Sequence, residues 1–218
     1  MSLPSVNPRY KRLVYTAGVA TALSGIGVLA PWESTKIIGS TTLIGIAYAT
    51  INDLFACRQC IEYFTVGHIY DGRRLDHRPI MTLNPNWNAL AWGMISSWHL
   101  SALAGVLLAT LARAPMTAST PKLSARQIIP GLALGSALLL ASITTMAWLL
   151  ERPLEKALKE QRHKMDLWPN APRDMRRKFT LVDCRNSLGY LCMTLLVSIC
   201  AASVIGFRVR QSASSAAQ

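Results

Sequence analysis

The sequence predicts an all-α integral membrane protein, a bundle of about five transmembrane helices with a structured polar loop after the second span. Of its 218 residues, 51% are hydrophobic and only 16% are charged, whereas soluble domains usually contain about 25% charged residues. The charged residues are clustered, so several long stretches carry none. These stretches approach the ~20 apolar residues that a helix needs to cross a bilayer. In lipid they must be helical, because every backbone polar group needs an internal partner.

The first apolar stretch, residues 13–30, follows a charged start and is itself uncharged. It ends in Ala30-Pro31-Trp32, which lacks the small-x-small pattern of a cleavage site, so we interpret it as a membrane span and not as a signal peptide. The other predicted spans cover about 37–55, 88–111, 128–150 and 188–207. Together they predict one membrane domain over residues 1–211, followed by a small, polar and disordered tail at 212–218.

The distribution of Lys and Arg predicts the orientation of the chain. With the N-terminus inside, the inner segments carry 17 of these residues and the outer segments carry 6. Because cytoplasmic loops are enriched in positive charge, the N-terminus is predicted to be cytoplasmic, in a bacterial inner membrane. The net charge of +12 lies mainly between the apolar runs. That placement favours contact with membrane lipid headgroups and argues against a nucleic-acid partner.

Two further patterns concern packing at and within the membrane. After residue 150, Pro153 suits the first turn of a helix, and the following basic segment is predicted to be a separate amphipathic helix along the headgroups. Gly131-x-x-x-Gly135 allows close approach of another helix. That helix belongs either to the same chain or to a second copy in a homo-oligomer, and the first arrangement is favoured.

The polar string ACRQCIEYFTVGH, residues 56–68, is the densest group of reactive side chains. Cys60, Glu62 and His68 are candidate ligands for a metal ion, although no second Cys-x-x-Cys completes a zinc motif. A redox role for Cys57-x-x-Cys60 is disfavoured because the pair follows a helix, whose C-terminal end does not stabilise a thiolate. Arg58 and Glu62 are four residues apart and are predicted to share a helix face as an ion pair.

His99 lies near the middle of the third predicted span. An ionisable group at membrane depth is a candidate functional residue, and here a candidate for binding a cofactor. The alternative is a neutral imidazole hydrogen-bonded to a neighbouring helix. A haem held by two histidines is disfavoured, because the predicted spans contain no second His.

Three segments resemble a family of uncharacterised bacterial multi-pass membrane proteins. They are Tyr48-Ala49-x-x-Asn52-Asp53, Arg58-x-Cys60-x-Glu62-Tyr63-Phe64-Thr65-x-Gly67-His68 and Trp92-Gly93-x-x-x-x-Trp98. A later Asn186-Ser187-x-x-Tyr190 element is similar to another part of the family pattern, whereas Leu54 stands where the pattern has Gln. The resemblance implies a shared polar site, and the matching candidate residues are Asp53, Arg58, Glu62, Tyr63 and His68.

Three functions remain open from the sequence. The leading hypothesis is a non-enzymatic scaffold or small binding module with an Asp/Arg/Glu/His cluster at the membrane interface, with membrane lipids, further copies or other membrane proteins as partners. The alternative is a membrane-embedded enzyme or metalloprotein that acts on a lipid or a quinone, with Glu62 and His68 as acid and base or as ligands. The third is an oligomeric transporter. No pattern of nucleophilic catalysis, such as Gly-x-Ser-x-Gly, is present.

Overall fold

A computed structural model of the chain describes residues 31–67, 84–115, 120–160 and 173–216. Within these ranges the protein is all-helical. Its α-helices are α1 (Trp32–Gln59), α2 (Pro85–Arg113), α3 (Ala125–Glu160) and α4 (Arg173–Ala216), and a short π-helical segment occupies Tyr63–Gly67. All four α-helices are long and apolar enough to cross a membrane. The all-α membrane fold is thereby confirmed, with the predicted spans 37–55, 88–111, 128–150 and 188–207 inside α1 to α4. The predicted span 13–30 lies outside the described residues.

The helices are longer than the apolar runs that predict them. Helix α3 continues through Pro153 to Glu160, so the separate helix expected to begin at Pro153 is wrong. A formed helix propagates more easily than a new one nucleates, and proline removes only one backbone hydrogen bond. Helix α4 begins at Arg173, well before residue 188, and extends to Ala216. Residues 212–216 of the predicted disordered tail are therefore helical, since Ala and Ser can prolong a helix that already exists.

Helices α1 and α2 pack closely because glycines remove side chains from their interface. A Cβ atom added to Gly93 would lie 2.5 Å from the Cα of Thr50, and one added to Gly105 would lie 2.8 Å from the Cα of Ile38. Small residues at such contacts let helix backbones approach closely within a membrane. This close pair forms one wall of the bundle, against which α3 and α4 pack.

Of the two glycines in the Gly131-x-x-x-Gly135 pattern of α3, Gly135 packs against another helix of the same chain. A Cβ atom on Gly135 would lie 2.7 Å from a methyl group of Leu196 in α4, whereas a Cβ atom on Gly131 would have no atom within 4 Å. The favoured interpretation, packing against a helix of the same chain, therefore holds for Gly135.

Arg208 of α4 joins the far end of the bundle to the end of α2. Its side chain is fully buried. Its Nε donates to the carbonyl of Pro121 (2.9 Å), its Nη2 to that of Ala114 (2.7 Å), and its Nη1 to that of Leu111. The last carbonyls of a helix have no partner within the helix. Arg208 therefore supplies these carbonyls with donors from a neighbouring helix.

Replacing Arg208 by Met is expected to destabilise the protein by about 3 kcal/mol, because buried carbonyl groups lose their donors. The measurement is the thermal unfolding midpoint of the detergent-purified protein. Arg210→Met is the matched control, since Arg210 is exposed on the same helix. Equal midpoints for the two variants would contradict the assigned role of Arg208.

Candidate functional site

The C-terminal half of α1 brings two polar side chains into the bundle. Asn52 and Asp53 follow an uncharged helical run that begins at Ile37, and they are only 5% and 7% exposed. A charged or amide side chain buried at this depth needs polar partners, because lipid and apolar side chains offer none. The residues that form hydrogen bonds with Asn52 and Asp53 therefore define the site.

A hydrogen-bond network centred on Asn52 links α1 to α3 and α4. Nε of Arg185 donates to Oδ1 of Asn52 (2.9 Å), and Nδ2 of Asn52 donates to Oδ1 of Asn186 (2.8 Å). Nη2 of Arg185 reaches α3, where it donates to Oγ1 of Thr144 at 3.1 Å. The guanidinium carbon of Arg185 also lies 5.4 Å from the ring centroid of Phe55, within range of a cation–π interaction. The network thus holds a buried arginine between three helices.

Asp53 lies beside this network but is weakly bonded. Its Oδ1 accepts a hydrogen bond from Nδ2 of Asn52 at 3.5 Å, which is long for a bond to a carboxylate. Arg185 also interacts electrostatically with Asp53, although its nitrogens donate to the neutral oxygens of Asn52 and Thr144. Most of the hydrogen-bonding capacity of the Asp53 carboxylate is therefore available to another molecule.

A cavity of about 390 Å³ opens next to Asp53, between α1, α2 and α4. This volume is in the range of small-molecule sites. One end is polar, and the rest of the lining is mostly apolar, with the hydroxyl side chains of Ser97, Ser101, Thr194 and Ser198 among the apolar ones. The polar lining includes Tyr48, Asn52, Asp53, Asn186 and Tyr190, and the apolar lining includes Leu100, Leu103, Leu107, Met193 and Val197.

Two properties of the lining bear on what the cavity can hold. Leu103 is 60% exposed and Leu107 is 47% exposed, so in the described part of the chain the cavity opens sideways to the outer surface of the helices. The hydroxyl of Tyr48 is buried and has no hydrogen-bond partner within that part. An unpartnered buried hydroxyl is costly.

The other catalytic candidates within the described residues, Arg58, Glu62 and Tyr63, form a second cluster at and just beyond the end of α1. Arg58 donates from Nη1 to the carbonyl of Leu54 (2.7 Å) and from Nη2 to Oδ1 of Asn86 (2.6 Å). The predicted ion pair between Arg58 and Glu62 is wrong, because these two described side chains form no salt bridge with each other. Helix α1 ends at Gln59 and Cys60 is extended, with φ −155° and ψ 92°, so Arg58 and Glu62 do not share a helix face.

Tyr63 belongs to this second cluster and contacts α4. Its hydroxyl donates to Oδ1 of Asp183 at 3.2 Å, and its ring centroid lies 4.9 Å from that of Phe179. Burial, and next the negative charge of Asp183, raise the pKa of Tyr63 above its usual range. The phenol therefore remains protonated at neutral pH and joins the π-helical segment to α4.

The candidate metal ligands are only partly described. Sγ of Cys60 lies 3.5 Å from Oε2 of Glu62, and His68 lies outside the described residues. In the described segments no group of three or more His, Cys, Asp or Glu side chains is placed to hold a metal ion. Metal binding by Cys60, Glu62 and His68 therefore stays a prediction.

Cys57 and Cys60 are buried free thiols. The pair lies at the C-terminal end of α1, as expected. Burial is the main cause that raises the pKa of Cys60 to about 11, and the nearby Glu62 carboxylate adds to it. Such a thiol is mostly protonated near pH 7 and is a poor nucleophile.

His99, the candidate cofactor ligand, lies on α2 and does not line the cavity. It is half-buried, and its ring makes an edge contact with Trp98 at 5.8 Å between centroids. His99 is thus separate from the polar groups that converge near Asp53.

Comparison of the chain with protein-family models, with curated proteins and with solved structures gives no match. The resemblance to a family of bacterial membrane proteins therefore stays a prediction. Among the catalytic candidates that the structure describes, Asp53 alone lines the cavity, while Arg58, Glu62 and Tyr63 contact other partners.

Sequence reasoning missed Arg185, whose hydrogen bonds link α4 to both α1 and α3. Its position before the predicted fifth span assigned it to a basic loop. The preceding Asp183 and the following Asn186-Ser187 extend the polar character of that segment, so hydropathy alone does not place it in the bundle. A signal was nonetheless present, because Asn186 and Tyr190 belong to the resemblance and lie within five residues of Arg185.

Replacing Arg185 by Met is expected to destabilise the protein by about 3 kcal/mol, since Asn52 and Thr144 lose a buried charged donor. The thermal unfolding midpoint measures this loss. Lys178→Met, an exposed position on the same helix, controls for the removal of a positive charge. A midpoint for Arg185→Met that equals the control would rule out a central role for the network.

Alkylation of Cys60 is expected to be slow at pH 8 and to accelerate as the pH rises towards about 11. The raised pKa of Cys60 also makes the stability of the folded protein depend on pH. An unfolded thiol ionises near pH 8.5, so the stabilisation from the protonated buried thiol is complete below that pH and is lost as the pH rises to about 11.

The experiment uses a variant that retains Cys60 as its one cysteine, treated with iodoacetamide and followed by mass spectrometry. The same variant unfolded in sodium dodecyl sulfate is the control and should react rapidly at pH 8. Rapid reaction of the folded protein at pH 8 would show that the thiol is not held in a buried, protonated form.

Proposed function

We propose that the protein is a non-enzymatic membrane binding module whose cavity holds one amphiphilic molecule. The supporting observation is the polarity of the cavity lining, with Asp53, Asn52 and Asn186 at one end and leucines along the opposite wall. A molecule with a polar head and an apolar chain matches both parts. The lateral opening past Leu103 and Leu107 gives such a molecule a route from the bilayer, where its concentration is highest.

The location and partners follow from the same proposal. The membrane is a bacterial inner membrane with a cytoplasmic N-terminus, and membrane lipids are the principal partners. With this orientation the polar end of the cavity lies towards the cytoplasmic side, because α1 ends there. Anionic headgroups on that side complement the basic segments between the helices.

The binding proposal is favoured over catalysis by the contacts of the candidate residues. Arg185 and Asn52 bond mainly to each other and to neighbouring helices, which fixes the walls of the cavity. Glu62, one of the two candidate acid–base groups, contacts Cys60, and Tyr63, a further catalytic candidate, donates to Asp183. The Tyr63 contact ties the chain beyond α1 to α4.

Filling the cavity should abolish retention of the amphiphile. Ala104 lines the cavity, and Ala104→Trp introduces a large side chain there. We expect the wild-type protein to retain about one amphiphile per chain through a delipidating detergent wash, and the variant to retain at most about a fifth as much, because the bulky ring excludes the ligand. Mass spectrometry of the organic extract measures the amount. Leu138→Trp, on an exposed face of α3, is the control.

Equal retention by Ala104→Trp and the control would refute the proposal. A photoreactive benzoyl-phenylalanine at position 104 of the full chain tests whether lipid or protein occupies the cavity. A lipid adduct that the same group at position 138 does not form supports the binding module. A cross-link to residues 13–30, or to a second copy, would show that protein and not lipid fills the cavity.

A further inference from the structure

The acidic group at the polar end of the cavity has a basic neighbour within the protein. Asp53 lines the cavity, and Arg185, which is not part of the lining, interacts with it electrostatically. Both are buried, at 7% and 6% exposure. In such a low-dielectric environment an additional unpaired charge is costly. A ligand head that is itself ionic would add such a charge, whereas a neutral head would not.

Two polar groups of the cavity lining, the Asp53 carboxyl group and the Tyr48 hydroxyl group, can form further hydrogen bonds. The Asp53 carboxyl group receives one long bond of 3.5 Å from Asn52, and its two oxygens can accept further hydrogen bonds. The Tyr48 hydroxyl has no partner in the described segments although it is only 9% exposed. The Asp53 oxygens accept hydrogen bonds, and the Tyr48 hydroxyl both donates and accepts them.

The position of these groups also limits the type of ligand head. Tyr48 and Asp53 both line the cavity and lie on one helix, about 7.5 Å apart along its axis at the usual rise per residue. The hydroxyl of Tyr48 faces α4, because a Cβ atom on Gly189 would lie 3.3 Å from it. The hydrogen-bonding groups thus line a short stretch of the polar end, next to the apolar wall.

From these observations we infer that the ligand is a neutral amphiphile whose head carries hydroxyl groups, such as a long-chain alcohol or a quinol. A hydroxyl donates to the carboxylate of Asp53, and another oxygen of the head or the same hydroxyl accepts from Tyr48. This assignment of the ligand class rests on the proposed binding function of the cavity. It excludes fatty acids and lipid amines as the preferred ligands.

The test compares three probes that share one alkyl chain: 1-dodecanol, dodecylammonium and dodecanoate. The full chain is reconstituted in lipid nanodiscs, and each radiolabelled probe is equilibrated with protein-containing and empty discs at neutral pH. The excess of bound probe over the empty discs measures specific binding. We expect a saturable excess of about one 1-dodecanol per chain, with at least about tenfold weaker binding of both ionic probes, as expected for an unpaired buried charge.

Two substitutions assign the polar contacts. Asp53→Asn should weaken 1-dodecanol binding about tenfold, because a charge-assisted hydrogen bond is lost. Tyr48→Phe should weaken it about threefold and should leave the thermal midpoint unchanged or raised, because it removes a buried hydroxyl that is unpartnered without ligand. Ser203→Ala is the control, since Ser203 is exposed on α4 and its hydroxyl bonds the Ile199 carbonyl.

The possible outcomes distinguish a failure of the neutral-head inference from a failure of the proposed binding function. Preferred binding of dodecylammonium or dodecanoate, abolished by Ala104→Trp, would overturn the neutral-head inference and leave the binding module intact. Binding of 1-dodecanol that neither Asp53→Asn nor Tyr48→Phe weakens would also overturn the inference. If no probe exceeds the empty discs, and purified wild-type protein and Ala104→Trp contain equal lipid, the binding function itself is refuted. Because Tyr48→Phe removes no bond made within the described protein, it remains informative even where Asp53→Asn misfolds.

Discussion

The structure depends on how the buried guanidinium of Arg185 is satisfied. A positive charge inside a helical membrane bundle is costly unless its donors meet acceptors. Asn52 and Thr144 provide those acceptors from two different helices, so the charge is tolerated only when α1, α3 and α4 are in register. A single side chain thereby couples the positions of three helices. The same coupling sets Asn52 in one orientation, which in turn holds Asn186 and leaves Asp53 beside the cavity.

The cavity is a consequence of uneven packing among the helices. Helices α1 and α2 approach closely because Gly93 and Gly105 leave room for the opposing backbone. Helix α4 instead presents Tyr190, Met193 and Val197 towards this pair, and space remains between these side chains and the leucines of α2. Close contact on one side and wide separation on the other are both compatible with a lipid environment, where packing and not water exclusion drives helix association.

The sequence predicted the membrane fold and one residue of the site, for identifiable physical reasons. The spans in α1 to α4 were predictable because long uncharged runs are typical of helices that cross a bilayer. Asp53 was predicted because it belongs to the segments that resemble the family pattern. The helix ends were not predictable from hydropathy, since α4 continues into the polar segment 173–187 and α3 continues through Pro153. Arg185 was missed for this reason, because a basic residue outside an apolar run is normally assigned to a loop.

The Arg58–Glu62 pair failed for a different reason. Spacing of four residues implies a shared face only if the helix is unbroken, and the extended Cys60 interrupts α1 between the two. Tertiary contacts decided the outcome, since Arg58 bonds to Asn86 at the start of α2. The described candidate residues are therefore divided: Asp53 lines the cavity, Arg58 contacts α2 and Tyr63 contacts α4.

Two arginines that are buried in the described part of α4 show how the helix is fixed along its own axis. Arg185 and Arg208 are separated by a helical rise of about 35 Å, from the usual 1.5 Å per residue, and no charged residue lies between them. This distance is close to the ~30 Å thickness of the hydrocarbon core. Each arginine donates to oxygens of other helices, to Asn52 and Thr144 at one end and to the carbonyls around the end of α2 at the other. Sliding α4 along its axis by one turn would separate both guanidinium groups from their acceptors. The position of α4 along the bundle is thereby fixed at both ends, and with it the position of the cavity lining that α4 contributes.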